Sequence, residues 1–234
     1  MAFLLLFLIK FGVKSVKMNK RLKMQENLAA AKYEISRAVK ADLAAITSIY
    51  NTSVLERNAT AALHPVGIEE REAWFDAHET ANRPIYVLRE VCEGNLTSGD
   101  GETFEADCER KFDQKGENLG AQKPSVATPK GEILAWGSLS DYHPREGYRI
   151  TVEISVYVAA DARGKGLGRR LVKFILESAP KFGIKNVVAL IFSSNEASLN
   201  LFAKFGFAHW GELPEVCDMG GKIESLTILG KKLG

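Results

Sequence analysis

A basic, glycine-rich loop at residues 163–168 separates an alternating strand pattern from a helical one. The loop holds three glycines, and cationic side chains are supplied by Arg163, Lys165, Arg169 and Arg170. Glycines permit tight turns and leave N–H groups bare, and N–H groups at a helix N-terminus bind anions. Nearby cationic groups favour a phosphate ligand. The pattern therefore predicts a pyrophosphate site, and the alternative is a tight turn followed by a solvated helix start.

The strand before this loop has one apolar and one polar face, with apolar residues alternating from position 150 to position 158. The polar residues between them are Thr151, Glu153, Ser155 and Tyr157. The loop lacks the Gly-Lys-Ser/Thr ending of a nucleotide-hydrolysing P-loop, and its glycines do not have the G-x-G-x-x-G spacing of a dinucleotide site. Both of these phosphate-binding classes are therefore excluded.

Two motifs resemble those of the GCN5-related N-acetyltransferases (GNAT). Arg163, Gly166 and Gly168 fill the family pattern (Gln/Arg)-x-x-Gly-x-(Gly/Ala), whose loop holds the pyrophosphate of acetyl-CoA while the preceding strand binds the pantetheine arm. A second family pattern begins at Asn195 and ends with Phe-Gly-Phe at 205–207. The resemblance implies acetyl-CoA as cosubstrate and these cofactor-binding residues: Val156, Tyr157, Val158, Arg163, Gly164, Lys165, Gly166, Leu167, Gly168, Asn195 and Ser198. The scattered cysteines and histidines indicate no metal site. By itself, an asparagine that opens a helix is more often an N-cap.

Residues 73–77, 142–148 and 149–158 look like the phosphinothricin and methionine sulfoximine N-acetyltransferase branch. The likeness runs from about residue 35 to residue 233, with an interruption at 92–130. That branch acetylates the α-amino group of small amino acids and their analogues and usually works as a homodimer. The resemblance thus implies a small-molecule acceptor and two chains. The candidate substrate-binding residues are His143, Arg145, Tyr148, Arg149 and Thr151.

Glu153 is the candidate general base for such a transfer, acting directly or through a water molecule. The alternative is a carboxylate that only attracts the substrate ammonium group. Burial would raise the pKa of Glu153 toward a useful range, and a strand N–H near Val156 is the candidate oxyanion donor. Where relatives carry a histidine or tyrosine as general acid, this chain has Phe202. Tyr157, solvent or the substrate amine must then protonate the thiolate, or the reaction is slower.

The acceptor stays open at the sequence level. Tyr148 and Arg149 are candidates to hold a substrate carboxylate, or either pairs with Glu146 on the surface. The loop at 60–65 lacks the aromatic and acidic residues of relatives. Two alternative functions remain, namely an acetyltransferase for protein N-termini or lysines and a non-catalytic protein that binds CoA.

The succession of patterns predicts an α/β protein, of the α+β type with a mixed sheet, and matches the GNAT acyl-CoA N-acyltransferase fold. The order is strand, two helices, three strands, helix, strand, helix and two strands. In the second helix, residues 68–80, the charged side chains are expected to form a solvated face, while Trp74 and Phe75 contact the core or a groove. The predicted strands are 33–39, 84–91, 132–139, 150–158, 186–192, 209–216 and 223–231.

Composition and the chain ends set the domain prediction. The chain has 234 residues and a net charge of +2, which gives no broad field for nucleic acid. Residues 1–32 are expected to be a disordered extension whose apolar run is too short to insert stably in a membrane, and 33–234 a single domain with a loop inserted at 92–130. Three cysteines without metal-ligand spacing favour the cytoplasm. The apolar and acid-free basic N-terminus leaves mitochondrial targeting or weak membrane contact as the alternatives.

Overall fold

Seven strands and four helices make up the described part of the computed structural model, residues 32–80, 82–91 and 131–234. The strands are β1 (Lys32–Arg37), β2 (Ile85–Val91), β3 (Glu132–Asp141), β4 (Thr151–Val158), β5 (Asn186–Phe192), β6 (Ala208–Asp218) and β7 (Ile223–Lys232). The helices are α1 (Leu43–Glu56), α2 (Ile68–Thr80), α3 (Leu167–Ser178) and α4 (Glu196–Ala203). The predicted order is confirmed. The N-terminal extension and the 92–130 insertion lie outside the described residues.

All seven strands belong to one sheet, in the order β1-β2-β3-β4-β5-β7-β6. The β4–β5 pair is parallel and the other neighbours are antiparallel, so the predicted mixed sheet is confirmed. Strand β4 lies in the middle of this order, between β3 and β5. Within the described ranges, no helix is both long and apolar enough to span a membrane.

Apolar side chains cover both faces of the sheet. On one face, Leu171 and Ile175 of α3 pack fully buried against β3 and β4. Gly137 permits this close approach, because a Cβ atom there would lie 2.8 Å from the Ile175 Cδ1 atom. On the other face, Ile46 of α1 and Phe75 of α2 pack with the inward side of β3. The two faces of β4 are therefore buried differently, one by α3 and the other by α1 and α2.

A buried ion pair fixes the start of α1 to the sheet. The Asp42 Oδ2 atom lies 2.6 Å from the Arg89 Nη2 atom, and both side chains are 4% exposed. The same oxygen accepts a hydrogen bond of 3.0 Å from the Val39 N–H. Asp42 lies just before the first residue of α1, and its partner Arg89 lies on β2. Breaking this pair would leave a buried charge without compensation.

Pairing between β4 and β5 ends early. Only three residue pairs are made, from Thr151 with Asn186 to Glu153 with Val188. Strand β4 nevertheless continues to Val158 and β5 continues to Phe192. The two strands therefore separate beyond Glu153 and leave a gap in the middle of the sheet.

Candidate active site

The gap between β4 and β5 exposes backbone groups of β4. The Ala159 N–H donates to the Leu134 carbonyl on the β3 side. Backbone groups of alternate residues point the same way along a strand, so the N–H and C=O of Val156 and Val158 point away from β3, into the gap. The Val158 carbonyl indeed accepts a hydrogen bond from Arg163 rather than from a strand. The predicted oxyanion donor near Val156 thus belongs to an open strand edge.

A groove of about 550 Å³ runs from this open edge to the glycine loop. Gly164 and Gly166 have φ values of +76° and +80°, a backbone conformation that favours glycine. Helix α3 begins directly after Gly166, and its first N–H groups have no intrahelical acceptors. All predicted cofactor-binding residues line the groove except Lys165, which is exposed on the loop.

Two of these residues already have structural partners. The Arg163 guanidinium lies 2.8 Å from the Glu56 Oε2 atom and also donates to the Val158 carbonyl, which joins the loop to α1 and β4. Asn195 caps α4, because its Oδ1 atom accepts a hydrogen bond of 3.1 Å from the Ser198 N–H. Its Nδ2 atom donates to the Asn58 carbonyl at 2.8 Å. Arg163 and Asn195 therefore hold the walls of the groove in place.

Glu153 lines a cavity of about 240 Å³ that adjoins the groove. Val156, Tyr157, Asn195 and Ser198 line both spaces, so the two are continuous. Burial raises the pKa of the Glu153 carboxyl group above its ordinary value. A raised pKa makes the carboxylate a stronger base, which is the direction that a general base requires.

The walls of this cavity come from the 59–61 loop and from α4. The Thr60 hydroxyl is held at 2.9 Å from the Tyr50 hydroxyl, which fixes the loop beside α1. Phe202 also lines the cavity and packs edge-on against Phe207, with ring centroids 5.0 Å apart. A phenyl ring cannot donate a proton, so this position supplies no general acid. The Tyr157 hydroxyl is nearby, and burial raises its pKa.

A second cavity, of about 280 Å³, opens on the α1 and α2 side of β4. Tyr157 and Ser155 line both this cavity and the one that contains Glu153. Arg71 of α2 also lines it and is only 7% exposed. The prediction that the charged side chains of α2 form a solvated face is therefore wrong for Arg71, because aromatic rings of three elements enclose it. Trp74 and Phe75 do make the predicted groove and core contacts.

His78 orients the hydroxyl group of Ser140 in this second cavity. The His78 Nδ1 atom lies 2.8 Å from the Trp74 carbonyl oxygen, which can only accept, so Nδ1 carries the proton. Burial lowers the pKa of His78, and the Arg71 charge lowers it further. The neutral ring therefore accepts at Nε2 from the Ser140 hydroxyl, 3.0 Å away. The lone pairs of Ser140 remain available to a donor.

The predicted substrate-binding residues lie elsewhere. His143, Arg145, Tyr148 and Arg149 lie on the segment between β3 and β4, where His143 packs on Tyr148 with ring centroids 4.7 Å apart. Thr151 accepts a hydrogen bond from Asn186. None of these five side chains lines the two cavities beside β4 or the cofactor groove. Their assignment as substrate-binding residues stays a prediction.

Comparison with known proteins identifies the architecture. The family model described as acetyltransferase (GNAT) family matches residues 68–207. The chain belongs to the GNAT acetyltransferase family. It is 33% identical over 189 residues to the L-methionine sulfoximine/L-methionine sulfone acetyltransferase of Pseudomonas aeruginosa, covering 81% of this chain and 88% of that one. It is 32% identical to the L-amino acid N-acyltransferase MnaT of Escherichia coli, covering 84% and 91%.

Solved structures agree with this GNAT assignment. The Salmonella typhimurium protein yncA, solved with its cofactor acetyl-CoA, has a TM-score of 0.66 and 30% identity, covering 87% of this chain and 95% of that one. An N-acetyltransferase from Staphylococcus aureus Mu50 has a TM-score of 0.67 and 28% identity, covering 87% and 99%. The predicted family, fold and enzyme class, an N-acetyltransferase, are therefore confirmed.

Proposed function

We propose that this GNAT enzyme transfers the acetyl group of acetyl-CoA to the α-amino group of a small amino acid or amino-acid analogue. The observation that carries the proposal is the gap between β4 and β5. It brings an open strand N–H at Val156, the carboxylate of Glu153 and the groove of the glycine loop into one continuous space. Two relatives, an L-methionine sulfoximine/L-methionine sulfone acetyltransferase and an L-amino acid N-acyltransferase, support the choice of acceptor.

The glycine loop and the first turn of α3 bind the pyrophosphate through backbone N–H groups, as their geometry favours. The exposed side chains of Lys165 and Arg169 add positive charge there. Along β4, the outward-facing C=O of Val156 and N–H of Val158 pair with the amide groups of the pantetheine arm. This places the thioester beside Glu153, where the two cavities meet at Ser155.

The chemistry then needs two proton transfers. Glu153 accepts a proton from the ammonium group, directly or through a water molecule, and the free amine attacks the thioester carbonyl carbon. The Val156 N–H stabilises the oxyanion that forms. When the C–S bond breaks, the thiolate takes up a proton. Phe202 supplies none, and the nitrogen of the adduct, which must lose a proton to become an amide, can supply it in place of Tyr157 or solvent.

Release of free CoA thiol from acetyl-CoA tests the function across a panel of acceptors. The panel contains the proteinogenic amino acids, L-methionine sulfoximine, L-methionine sulfone, phosphinothricin and peptides with free N-termini. We expect turnover with one or more free amino acids or analogues. Turnover only with peptides would replace the amino-acid acceptor by a protein substrate. Binding of CoA without turnover on any acceptor would make the protein a non-catalytic member of the family.

We also propose a homodimer in the cytoplasm, with mitochondrial targeting by the basic N-terminus as the alternative. Support for self-association comes from the edge strand β6, on which Trp210, Leu213 and Val216 are each more than 40% exposed. Apolar side chains gathered on an edge strand favour contact with another chain. Sedimentation analysis of the full chain gives the mass in solution, and a monomer at micromolar concentration would refute the dimer.

A further inference from the structure

We propose that Arg71 binds the α-carboxylate of the acceptor in the second cavity and makes the enzyme selective for amino acids over amines that lack a carboxylate. The inference rests on the proposed acetylation of amino acids and assigns a specific residue to it. It replaces the exposed pair Tyr148 and Arg149 as the carboxylate-binding group. Arg71 is buried, it forms no ion pair among the described residues, and it lies in the cavity that Ser155 also lines.

Arg71 is a buried cation stacked on aromatic rings. Its guanidinium carbon lies 3.8 Å from the ring centroid of Tyr50, 4.8 Å from that of Trp74 and 5.8 Å from that of Trp136. Contact with ring faces requires no N–H donor, and a guanidinium group has five, so donors remain for a ligand beside the hydrogen bond with Tyr50. These donors point in the plane of the group, which is the geometry that a carboxylate matches with two parallel hydrogen bonds.

Glu70 lines the same cavity and its negative charge favours the charged form of Arg71, but the two side chains do not form an ion pair. In the described part of the chain, Arg71 forms no ion pair with a carboxylate. Its Nε atom is buried and has no hydrogen-bond partner. Burial lowers the pKa of Arg71, which reflects the cost of holding the charge there, although a guanidinium group stays protonated at neutral pH. A buried charge normally has a partner, so the missing anion is best supplied by a ligand in the cavity that Arg71 lines.

The position of Arg71 fits an α-amino acid whose nitrogen reacts near Ser155. Three cross-strand pairs on one face of β3 and β4 line this region: Trp136 with Tyr157, Ser138 with Ser155, and Ser140 with Glu153. Successive pairs on one face are about 7 Å apart. Arg71 lies over the first pair, Glu153 belongs to the third, and Ser155 of the middle pair lines both cavities.

An acceptor in this place has its carboxylate toward Arg71 and its ammonium group toward Ser155 and Glu153. The Ser140 hydroxyl, which donates to His78, keeps lone pairs that can accept from the ammonium group. Arg71 then positions the nitrogen without touching the thioester. An acceptor amide lacks the negative charge and would leave the buried guanidinium unpaired, so the cavity discriminates against it.

The experiment compares kcat/KM for L-methionine sulfone and for its amide in the wild type, Arg71→Gln and Arg71→Lys. We expect the wild type to prefer the acid, and Arg71→Gln to reduce this preference by about 30-fold or more, because losing one partner of a buried charged pair costs about 2 kcal/mol or more. Arg71→Lys should keep part of the preference. The Kd for acetyl-CoA should not change, since Arg71 does not line the cofactor groove.

Arg37→Gln is the matched control, because Arg37 is an exposed residue of β1 outside the three spaces at the gap. Unchanged acid preference in Arg71→Gln, or its loss in Arg149→Gln instead, would overturn the proposal. If Arg71→Gln fails to fold, the wild type and Arg71→Lys still test the inference. Equal kcat/KM for the acid and the amide in the wild type would refute it. Turnover of no amino acid at all would instead refute the proposed function.

Discussion

Replacing Glu153 by glutamine tests the base most directly, because the change keeps the size of the side chain and removes only its basicity. Loss of a general base lowers kcat by about 10²- to 10⁴-fold, or about 3 to 5 kcal/mol of activation free energy. Glu153 lines the reaction cavity and not the cofactor groove, so the Kd for CoA should stay the same. Steady-state kinetics and calorimetry with CoA measure the two quantities. Glu177→Gln, on the exposed side of α3, is the matched control.

The pH dependence of kcat/KM in the wild type and in Glu153→Gln gives a second test of the base. Burial raises the pKa of Glu153 above 4.5, so the acid limb of the wild-type kcat/KM profile should lie above that pH. The contribution of Glu153 to this limb should be absent from Glu153→Gln, which leaves only the titration of the acceptor amine. If Glu153 served only to attract the ammonium group, KM would rise and kcat would hold. An unchanged kcat would remove Glu153 from the proton transfer.

The raised pKa of Glu153 also predicts how stability depends on pH. A carboxyl group whose pKa is raised on folding binds more protons in the folded state than in the unfolded state, between the two pKa values. Stability conferred by the neutral form is therefore fully present below the unfolded pKa and is lost as the pH rises through the folded pKa. Glu153→Gln should thus be at least as stable as the wild type at pH 8 and should lose this advantage near pH 4. Urea denaturation at both pH values measures the difference.

Three further changes probe the loop, the α1 anchor and the missing acid. Gly166→Ala should lower the free energy of unfolding by about 1–2 kcal/mol and weaken acetyl-CoA binding, because φ is +80° at this position. A Cβ there would meet nothing within 4 Å, so only backbone strain acts. Thermal melts measure the loss of stability, with Gly67→Ala, where φ is not positive, as the control. Asp42→Asn should lower the free energy of unfolding in urea by about 3–5 kcal/mol, because Arg89 is left buried without an anion. A decrease below about 1 kcal/mol would contradict this. Phe202→Tyr should raise kcat several-fold if protonation of the thiolate limits turnover, and an unchanged kcat in stopped assays would show that the adduct nitrogen suffices.

Local patterns were enough to predict the elements and the residues that line the groove at the glycine loop. Alternation along β4, the glycines at positive φ and the helical spacing of α3 all lie within about 30 consecutive residues, so their consequences follow from the chain itself. The departure at Phe202 also follows from one position in a motif. These signals concern neighbours in sequence, and they produce a site whose parts are joined by one strand, one loop and one helix.

Burial of Arg71 could not be predicted in the same way. Helix α2 has charged residues on either side of Arg71, and nothing in that local pattern distinguishes one charged position from the next. The rings that enclose Arg71 come from α1, α2 and β3, at Tyr50, Trp74 and Trp136. Only the packing of α1 and α2 on the sheet brings them together. A cluster of aromatic residues on three elements that share one face is the signal that would have suggested an enclosed cation.

The register of β4 connects the core with the proposed chemistry. Val152 and Ile154 are buried against α3, while Glu153 and Tyr157 lie on the opposite face. A slip of one residue would exchange the two faces, which would bury the carboxylate among apolar side chains and turn the Val156 N–H toward β3. Either change alone would remove the base or the oxyanion donor. The apolar residues that stabilise the sheet therefore also place both groups beside the gap, and packing and catalysis favour the same register.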